Sequence, residues 1–290
     1  MKNTAMQGKV VLITGATAGI GRITARELAN TGAKVVLVAR SKEKAEATRD
    51  WILRETGNSL VEFITGDLSV QSELRSLAAQ VTSRYGGLDV LVNNAGAFFQ
   101  RRVESADGIE MTFALNHLAP FLLTNLLLDA LEKNSPSRVV VVSSDAHVRA
   151  SMSFSDLEGR ARYRGWGAYG QSKLANLLFT YELARRLQGR GITVNALHPG
   201  FVASEFGKNN GPGMRLAMSI AHRLGAISVE EGARTSVYLA TSKDVQSVSG
   251  RYFVKCREAE SAAASHDSSA MLKLWEVSAR MTGIAAVTPL

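Results

Sequence analysis

Tyr169 and Lys173 are the two residues whose types and spacing could do chemistry. They stand four residues apart, just before the apolar run from Leu174 to Phe179, so a helix would place both side chains on one face. A free tyrosine keeps its proton up to a pKa of about 10, and a nearby lysine ammonium favours the phenolate. The pair could therefore act as an acid or base near neutral pH. Taken alone, the spacing also fits an ordinary pair on a helix surface.

A glycine-rich turn follows the first predicted strand, Lys9 to Thr14. Its glycines are Gly15, Gly19 and Gly21, and a helical pattern and a second buried strand, Lys34 to Ala39, come next. Glycine is needed where the backbone turns tightly and approaches a pyrophosphate, with a helix N-terminus facing the anion. A merely tight turn between strand and helix is the alternative. The order of strand, turn, helix and strand favours a dinucleotide site.

The end of the second strand indicates which dinucleotide is bound. A site specific for NAD usually has a carboxylate there to hold the ribose 2′-hydroxyl, whereas a 2′-phosphate requires a cation. Here Ala39 ends the strand and Arg40 follows it. Because the acid is missing and a guanidinium is present, the sequence predicts NADP(H) as the cofactor. The alternative for Arg40 is an ordinary solvated arginine.

Strands and helices alternate along the rest of the chain. This pattern predicts an α/β fold: a single-domain Rossmann-type doubly wound parallel sheet, spanning residues 1–290, with helices on both faces. In such a sheet the ligand crevice lies beyond the carboxyl ends of the strands. The further predicted strands are Leu60–Thr65, Asp89–Val92, Arg138–Val142, Ile192–Leu197 and Tyr252–Lys255, which closes the sheet; the helices are Ser41–Thr56, Ser69–Tyr85, about Ala106–Lys133, about Ser228–Thr241 and His266–Met281.

Composition narrows the function classes. The single cysteine, Cys256, excludes an intrachain disulfide, and the five scattered histidines lack the spacing of a zinc site, so we expect no metal. The net charge of +8 could suit a polyphosphate, an anionic membrane or nucleic acid, but the basic residues are dispersed and no nucleic-acid motif is present. The first eight residues lack the apolar stretch of a signal peptide, and we expect no transmembrane anchor and a cytoplasmic location.

In sequence order, a set of motifs resembles the short-chain dehydrogenase/reductase family over nearly the whole chain. Each motif is weak alone, but the order and the intervening elements match. An insertion before Tyr169, Phe154 to Trp166, and the ending Leu274 to Ser278 are similar to the retinol dehydrogenase-like branch. The motifs are Thr14-Gly15-x-x-x-Gly19-x-Gly21, Asn93-Asn94-Ala95-Gly96, Asn116, Ser144, Tyr169-x-x-x-Lys173 and His198-Pro199-Gly200.

The resemblance implies a role for each matching residue. Tyr169 would be the acid or base, Ser144 a hydrogen-bond donor to the reacting oxygen, Lys173 the ribose contact that lowers the pKa of Tyr169, and Asn116 the anchor of a water. Ser143 would be structural. A substrate-covering segment would span about residues 204–227. The implied cofactor contacts, besides Tyr169 and Lys173, are Gly15, Thr17, Ala18, Gly19, Ile20, Gly21, Arg40, Asp67, Leu68, Asn94, Ala95, Gly96, Pro199, Gly200, Val202 and Ser204.

The implied reaction is hydride transfer between nicotinamide and a lipophilic alcohol or carbonyl compound. The alternatives are a carbonyl reductase for other ketones, aldehydes or quinones, a protochlorophyllide reductase-like enzyme, and a non-catalytic NADP-binding sensor or scaffold. The insertion contains arginines that could contact an anionic membrane surface. The alternative is that the insertion is a packed surface loop with solvated arginines. Homo-oligomerisation stays open as well.

Overall fold

The structure, a computed structural model, describes residues 4–202 and 226–285. Strands and helices alternate in it, as the sequence predicts. The strands are β1 Val10–Thr14, β2 Lys34–Ala39, β3 Val61–Thr65, β4 Val90–Asn93, β5 Ser137–Val142, β6 Ile192–His198, β7 Arg251–Val254 and β8 Arg257–Glu258. The helices are α1 Gly19–Asn30, α2 Lys42–Thr56, α3 Gln71–Tyr85, α4 Met111–Phe113, α5 Ala119–Leu126, α6 Leu128–Lys133, α7 Gly165–Arg186, α8 Val229–Thr241 and α9 Ser268–Thr282.

The eight strands found in the described residues form one sheet in the order β3-β2-β1-β4-β5-β6-β7-β8. β1 lies between β2 and β4 and is parallel to both, with Leu12 opposite Val36 on one side and Leu91 on the other. The chain builds outward in one direction through β2 and β3, then returns past β1 to β4. A doubly wound sheet has its ligand crevice at this reversal, beyond the carboxyl ends of β1 and β4.

Two helical layers bury the sheet. α1, α2 and α8 cover one face, where their apolar side chains pack with alternate residues of β1, β2 and β4. α3, α5, α6, α7 and α9 cover the other face. Because both faces are covered, the central strands are almost continuously apolar and buried, as in parallel sheets generally. The predicted doubly wound fold with helices on both faces is confirmed.

The predicted helix from Ala106 to Lys133 is wrong in its first part and is not continuous. Residues before Met111 form turns, and the Glu110 carboxylate caps α4 by accepting hydrogen bonds from the backbone N–H groups of Thr112 and Phe113, both at 2.8 Å. A π-helix, Ala114–Leu118, then separates α4 from α5. Hydrophobic periodicity does not distinguish such an inserted turn from an α-helix, which explains the error.

The prediction that the seventh strand closes the sheet is also wrong. After β7 the chain reverses through Lys255 and Cys256, which have φ angles of 50° and 59°, and β8 pairs antiparallel with β7. The pairs are Phe253 with Glu258 and Val254 with Arg257. Two consecutive residues with positive φ are typical of a type I′ hairpin turn, but glycine or asparagine usually signals it. This turn has neither.

Other helix boundaries follow their capping residues. The Ser228 hydroxyl accepts a hydrogen bond from the Glu231 backbone N–H at 3.1 Å, so the predicted capping-box start of α8 is confirmed. Ser41 caps α2 in the same way through the Lys44 backbone N–H. Within the residues that the structure describes, no helix is both long and apolar enough to span a bilayer.

Candidate active site

The glycine turn joins β1 to α1 at the centre of the sheet edge. Gly15 has a φ of 65°, which side-chain-bearing residues rarely adopt. A Cβ atom at Gly21 would lie 2.3 Å from the Gly15 carbonyl oxygen and 2.4 Å from the Asn94 side-chain nitrogen, so no larger residue fits there. No side chain caps the N-terminus of α1, where Ala18 is the N-cap and Gly19, Ile20 and Gly21 form the first turn. The turn therefore presents backbone N–H groups at a helix N-terminus, an arrangement that binds phosphate.

The end of β4 holds this turn in place. The Asn94 Nδ2 atom donates hydrogen bonds to the carbonyl oxygens of Thr14 and Gly15, at 2.8 and 3.2 Å. The Thr14 Oγ1 atom accepts from the backbone N–H groups of Asn94 and Ala95, both at 3.0 Å. Thr14 is therefore a structural member of the site that the sequence reasoning quoted only as part of the motif. The signal in the sequence that could have indicated this role is the position of Thr14 directly before Gly15.

The residues predicted to contact adenosine lie at the ends of β2 and β3. The Arg40 side chain is 82% exposed, with its guanidinium 3.9 Å from the Asp67 carboxylate. Asp67 also binds the backbone N–H and hydroxyl of Ser69 through one carboxylate oxygen. Leu68 and Ala95 line a small recess beside Thr14 and Asn93. The Arg40 guanidinium is therefore exposed at the end of β2, where it could bind an anionic group.

Tyr169 and Lys173 lie on one face of α7, as their spacing predicts. Both are buried, and the Lys173 ammonium lies 5.6 Å from the centre of the Tyr169 ring. The Lys173 Nζ atom donates a hydrogen bond to the Val142 carbonyl oxygen at 3.0 Å. The Ser143 hydroxyl donates to the Lys173 carbonyl oxygen at 2.8 Å, a structural role that ties the end of β5 to α7. The two side chains are therefore fixed against the carboxyl end of β5.

Burial controls the protonation of this pair. It raises the pKa of Tyr169 above its ordinary value, while a hydrogen bond with Ser144 acts in the opposite direction. Burial also lowers the pKa of Lys173 to about 8. The net shift of the Tyr169 pKa in this structure is therefore upward, and a lowering of that pKa by Lys173 stays a prediction. Both residues favour their neutral forms more than free side chains do.

Asn116 lies in the π-helix, at the point where the helix hydrogen bonds change register. It is fully buried, and its side-chain amide exchanges hydrogen bonds with the backbone of Ala97, at 2.9 and 3.0 Å, and donates to the Ser172 hydroxyl. A Cβ atom at Gly96 would lie 3.3 Å from both the Asn116 side-chain oxygen and the Lys173 Nζ atom. Asn116 and Lys173 therefore both lie beside Gly96.

Ser144 begins a short 3₁₀ helix, Asp145–Arg149, after β5. Its hydroxyl donates to the Asp145 carboxylate at 3.0 Å and accepts from the Ala146 backbone N–H at 3.2 Å. His147, which the sequence reasoning assigned no role, binds the Ser144 carbonyl oxygen through Nδ1 and accepts from the Ala262 backbone N–H through Nε2. His147 therefore fixes the backbone that carries Ser144.

The loop after β6 carries the remaining predicted contacts. The His198 Nδ1 atom accepts hydrogen bonds from the backbone N–H groups of Asp145 and Gly200, at 3.2 and 3.4 Å, which joins this loop to the Ser144 loop. Val202 forms a parallel bridge with Ile227. Pro199, Gly200 and Val202 thus lie beyond the end of β6, beside the Ser144 loop. Ser204 and most of the predicted substrate-covering segment, 204–227, lie outside the described residues.

The insertion before α7 is a packed loop. Met152, Phe154 and Leu157 pack against the core beside α4 and α7. The Tyr163 hydroxyl donates to the Phe99 carbonyl oxygen at 2.9 Å and contacts the buried Glu110 carboxylate at 3.2 Å. Sequence reasoning missed this last contact, because its residues are 53 positions apart.

The same loop also contains three arginines. Arg160 forms ion pairs with Glu104 and Glu158, whereas Arg162 and Arg164 are exposed. Exposed ion pairs contribute little to stability, so the packed apolar side chains and the Tyr163 hydroxyl hold this loop.

Comparison with known proteins identifies the family to which this chain belongs. The family model described as short chain dehydrogenase matches residues 9–215. The chain belongs to the short-chain dehydrogenase family. It is 43% identical to mouse retinol dehydrogenase 14, over 96% of this chain and 87% of that relative.

Solved structures of similar proteins agree with this assignment. An uncharacterised Mycobacterium paratuberculosis protein is 33% identical and superposes with a TM-score of 0.78, over 97% of this chain and 95% of that one. The Pseudomonas aeruginosa RhlG complex with NADP is 29% identical, with a TM-score of 0.70 over 87% and 97% of the two chains. Short-chain dehydrogenases are oxidoreductases of alcohols and carbonyl compounds, and this chain is such an enzyme.

Proposed function

We propose that this short-chain dehydrogenase uses NADP(H) to interconvert a lipophilic alcohol and its carbonyl compound, with Tyr169 as the acid or base. One observation carries the proposal: Tyr169 and Lys173 are buried one turn apart on α7, against the strand end that carries Ser144. Asn116 and Lys173 both lie beside Gly96. The glycine turn lies at the same edge of the sheet.

The residues present fit a dinucleotide cofactor. A side chain at Gly21 would collide with Gly15 and Asn94, which keeps the turn narrow enough for a pyrophosphate to approach the backbone. Gly15, Thr17, Ala18, Gly19, Ile20 and Gly21 would hold the pyrophosphate side; Asp67, Leu68, Asn94, Ala95 and Gly96 the adenosine; and Tyr169, Lys173, Pro199, Gly200, Val202 and Ser204 the nicotinamide end. When bound, the nicotinamide supplies the acceptor or donor of the hydride.

Two observations favour NADP(H) over NAD(H). No carboxylate ends β2, since Ala39 is its last residue, and the Arg40 guanidinium is exposed and able to bind a 2′-phosphate. The RhlG relative was solved with NADP. The Asp67 carboxylate, 3.9 Å from Arg40, would have to release that guanidinium at least in part.

The proton steps follow from the positions of the polar groups. Tyr169 donates its proton to the carbonyl oxygen in reduction and removes the hydroxyl proton in oxidation. The Ser144 hydroxyl binds the same oxygen, for which it must exchange its hydrogen bond to Asp145. Lys173 holds the ribose and favours the phenolate, and Asn116 anchors a water through which Lys173 exchanges protons with solvent.

The substrate class rests on relatives and on the loop before α7. Relatives over most of the chain are named retinol dehydrogenases, and apolar side chains of that loop pack beside α7. Residues 1–290 are proposed to form one domain in a cytoplasmic protein. The packing of Met152, Phe154 and Leu157 supports a surface loop more than a membrane contact. No observation favours a protochlorophyllide reductase or a sensor.

The Tyr169→Phe variant tests the proposal. Removing one hydroxyl should lower kcat by about 10²–10⁴ while NADPH affinity stays close to wild type, because ring packing is retained. Tyr181→Phe is the matched control: it lies on the same helix, and its hydroxyl binds Ser261 on the far side of the site. Turnover of retinal near the wild-type rate in Tyr169→Phe would contradict the role of Tyr169. Equal affinities for NADPH and NADH would contradict the cofactor assignment, and NADPH binding without turnover of any carbonyl compound would favour a sensor.

A further inference from the structure

Two aromatic side chains, Phe98 and Trp166, lie next to Tyr169 in the described part of the chain, and Trp166 is the more exposed of them. Its exposed fraction is 57%, although tryptophan is a residue that usually buries most of its surface. It lies in the first turn of α7, three residues before Tyr169, so both side chains lie on the same face of that helix. The ring centroids of Trp166 and Tyr169 are 6.1 Å apart, with the rings perpendicular at 87°.

The indole is fixed by its other neighbours. Phe98, itself almost fully buried, packs against Trp166 with ring centroids 4.5 Å apart and meets Tyr169 edge-on at 6.2 Å. The three rings form a closed triangle between the loop after β4 and the start of α7. An aromatic side chain held in this way loses little conformational freedom when a ligand covers it.

The backbone beneath this triangle is equally constrained. A Cβ atom at Gly165 would lie 2.6 Å from the Phe99 carbonyl oxygen and 2.9 Å from the Gln100 Cα atom. The loop after β4 therefore packs directly on the first turn of α7. Tyr163 binds the same Phe99 carbonyl oxygen from the insertion. These contacts set the position of Trp166 from two sides. Its exposure is therefore a property of the fold and does not come from fraying of the α7 N-terminus.

We propose that the exposed surface of Trp166 binds the apolar part of the substrate next to the reacting carbon and thereby sets the preference for lipophilic over short polar carbonyl compounds. This inference rests on the proposed function and names a specificity-determining residue for it. Burial of apolar surface on a preformed aromatic side chain favours binding, and a short polar aldehyde has no apolar part to cover the indole. Phe98 acts as the positioning residue that supports the indole.

The test compares kcat/KM for retinal and for propanal in the presence of NADPH. Trp166→Ala should lower the ratio of the two values by about tenfold, which corresponds to about 1.4 kcal/mol. Trp166→Phe, which retains an aromatic ring, should recover most of the ratio. Leu53→Ala is the matched control, because Leu53 is also an exposed large apolar residue, at 43%, but lies on α2. It should leave the ratio at the wild-type value.

A binding measurement separates failure of this inference from failure of the proposed function. Retinol is titrated into the Tyr169→Phe protein, alone and combined with Trp166→Ala, and its equilibrium affinity is measured without turnover. An affinity loss of about tenfold on removing the indole supports the inference even if the physiological reaction differs. If the wild-type enzyme prefers retinal and Trp166→Ala keeps both that preference and the retinol affinity, the inference is wrong while the proposed function stands. If no carbonyl compound is reduced and retinol does not bind, both are wrong.

Discussion

The glycine turn after β1 and the insertion before α7 lie at the same edge of the sheet, but different interactions hold them. In the glycine turn, backbone meets backbone: Gly21 fits against the Gly15 carbonyl oxygen, and the amide of Asn94 closes the gap. In the insertion, side chains bind other side chains and carbonyl oxygens, with Glu110 and Tyr163 at the centre. A turn with glycine at its tightest positions lets the phosphates of a dinucleotide approach the backbone closely. A segment held by side chains can change with the substrate.

Among the changes that compare these two regions, the largest effect is expected from a methyl group in the glycine turn. Gly21→Ala should weaken NADPH binding by about 100-fold, because overpacking costs about 1–3 kcal/mol and each 1.4 kcal/mol is tenfold. Isothermal titration with NADPH measures it. Gly167→Ala is the control, since its Cβ atom would meet only Arg164, at an ordinary 3.6 Å. Equal affinities for both variants would remove the distinction drawn between the two regions.

Removing the carboxylate beneath the insertion should act on stability and leave the cofactor site intact. Glu110→Ala leaves the backbone N–H groups of Thr112 and Phe113 without their acceptor and removes the carboxylate contact of the Tyr163 hydroxyl, at a cost of about 2 kcal/mol in unfolding free energy. Urea unfolding measures the change. Glu104→Ala, which removes an exposed carboxylate from the same segment, should change it by less than about 0.5 kcal/mol. Weaker NADPH binding in Glu110→Ala would show that the two regions are coupled.

A smaller, graded effect is expected from pH. Burial lowers the pKa of His117 to about 3 and also lowers the pKa values of His147 and His198. Below the unfolded-state pKa of about 6.5 the unfolded chain therefore binds more protons than the folded chain. Unfolding free energy should fall with falling pH, by up to about 1.4 kcal/mol per pH unit for each such histidine, and for His117 down to about pH 3.

The distribution of these histidines sharpens the comparison. They lie in the π-helix, after β5 and at the end of β6, whereas residues 14–21 contain none. Urea unfolding of the wild type and of His117→Gln between pH 7 and pH 4 measures the slopes, and the variant should give the flatter line. Hydrogen exchange at pH 5 should rise first around the π-helix. The same slope in both proteins, or exchange that rises first in the glycine turn, would count against this account.

The sequence was sufficient for the elements whose signal is local. The bounds of β2 were predicted residue for residue, and Ser228 predicted where α8 begins. Both signals, a buried run of β-branched residues and a capping residue, depend only on neighbours in the sequence. The strand β8 was missed because Lys255 and Cys256 carry no turn signal and the strand has two polar residues. The π-helix was missed because its apolar pattern matches that of an α-helix.

The same division holds in the site. The Tyr169 and Lys173 spacing was readable on one helix, and the family motifs supplied Asn116 and Ser144. The direction of the Tyr169 pKa shift was not readable, because it depends on burial by elements far away in the chain. The contact of Glu110 with Tyr163 and the packing of Phe98 on Trp166 likewise join distant segments, which periodicity and motif spacing do not reveal.

The short antiparallel strand β8 also affects how this protein avoids aggregation. A parallel sheet that ended at β7 would offer the backbone of Tyr252, Phe253 and Val254 to any other extended chain. Instead, β8 pairs with the last two of these residues and presents Arg257 and Glu258, whose side chains carry charge, at the new edge. A strand of two charged residues is a poor template for further pairing. Cutting the chain between Lys255 and Arg257 would therefore expose a hydrophobic edge strand and favour edge-to-edge association of folded molecules.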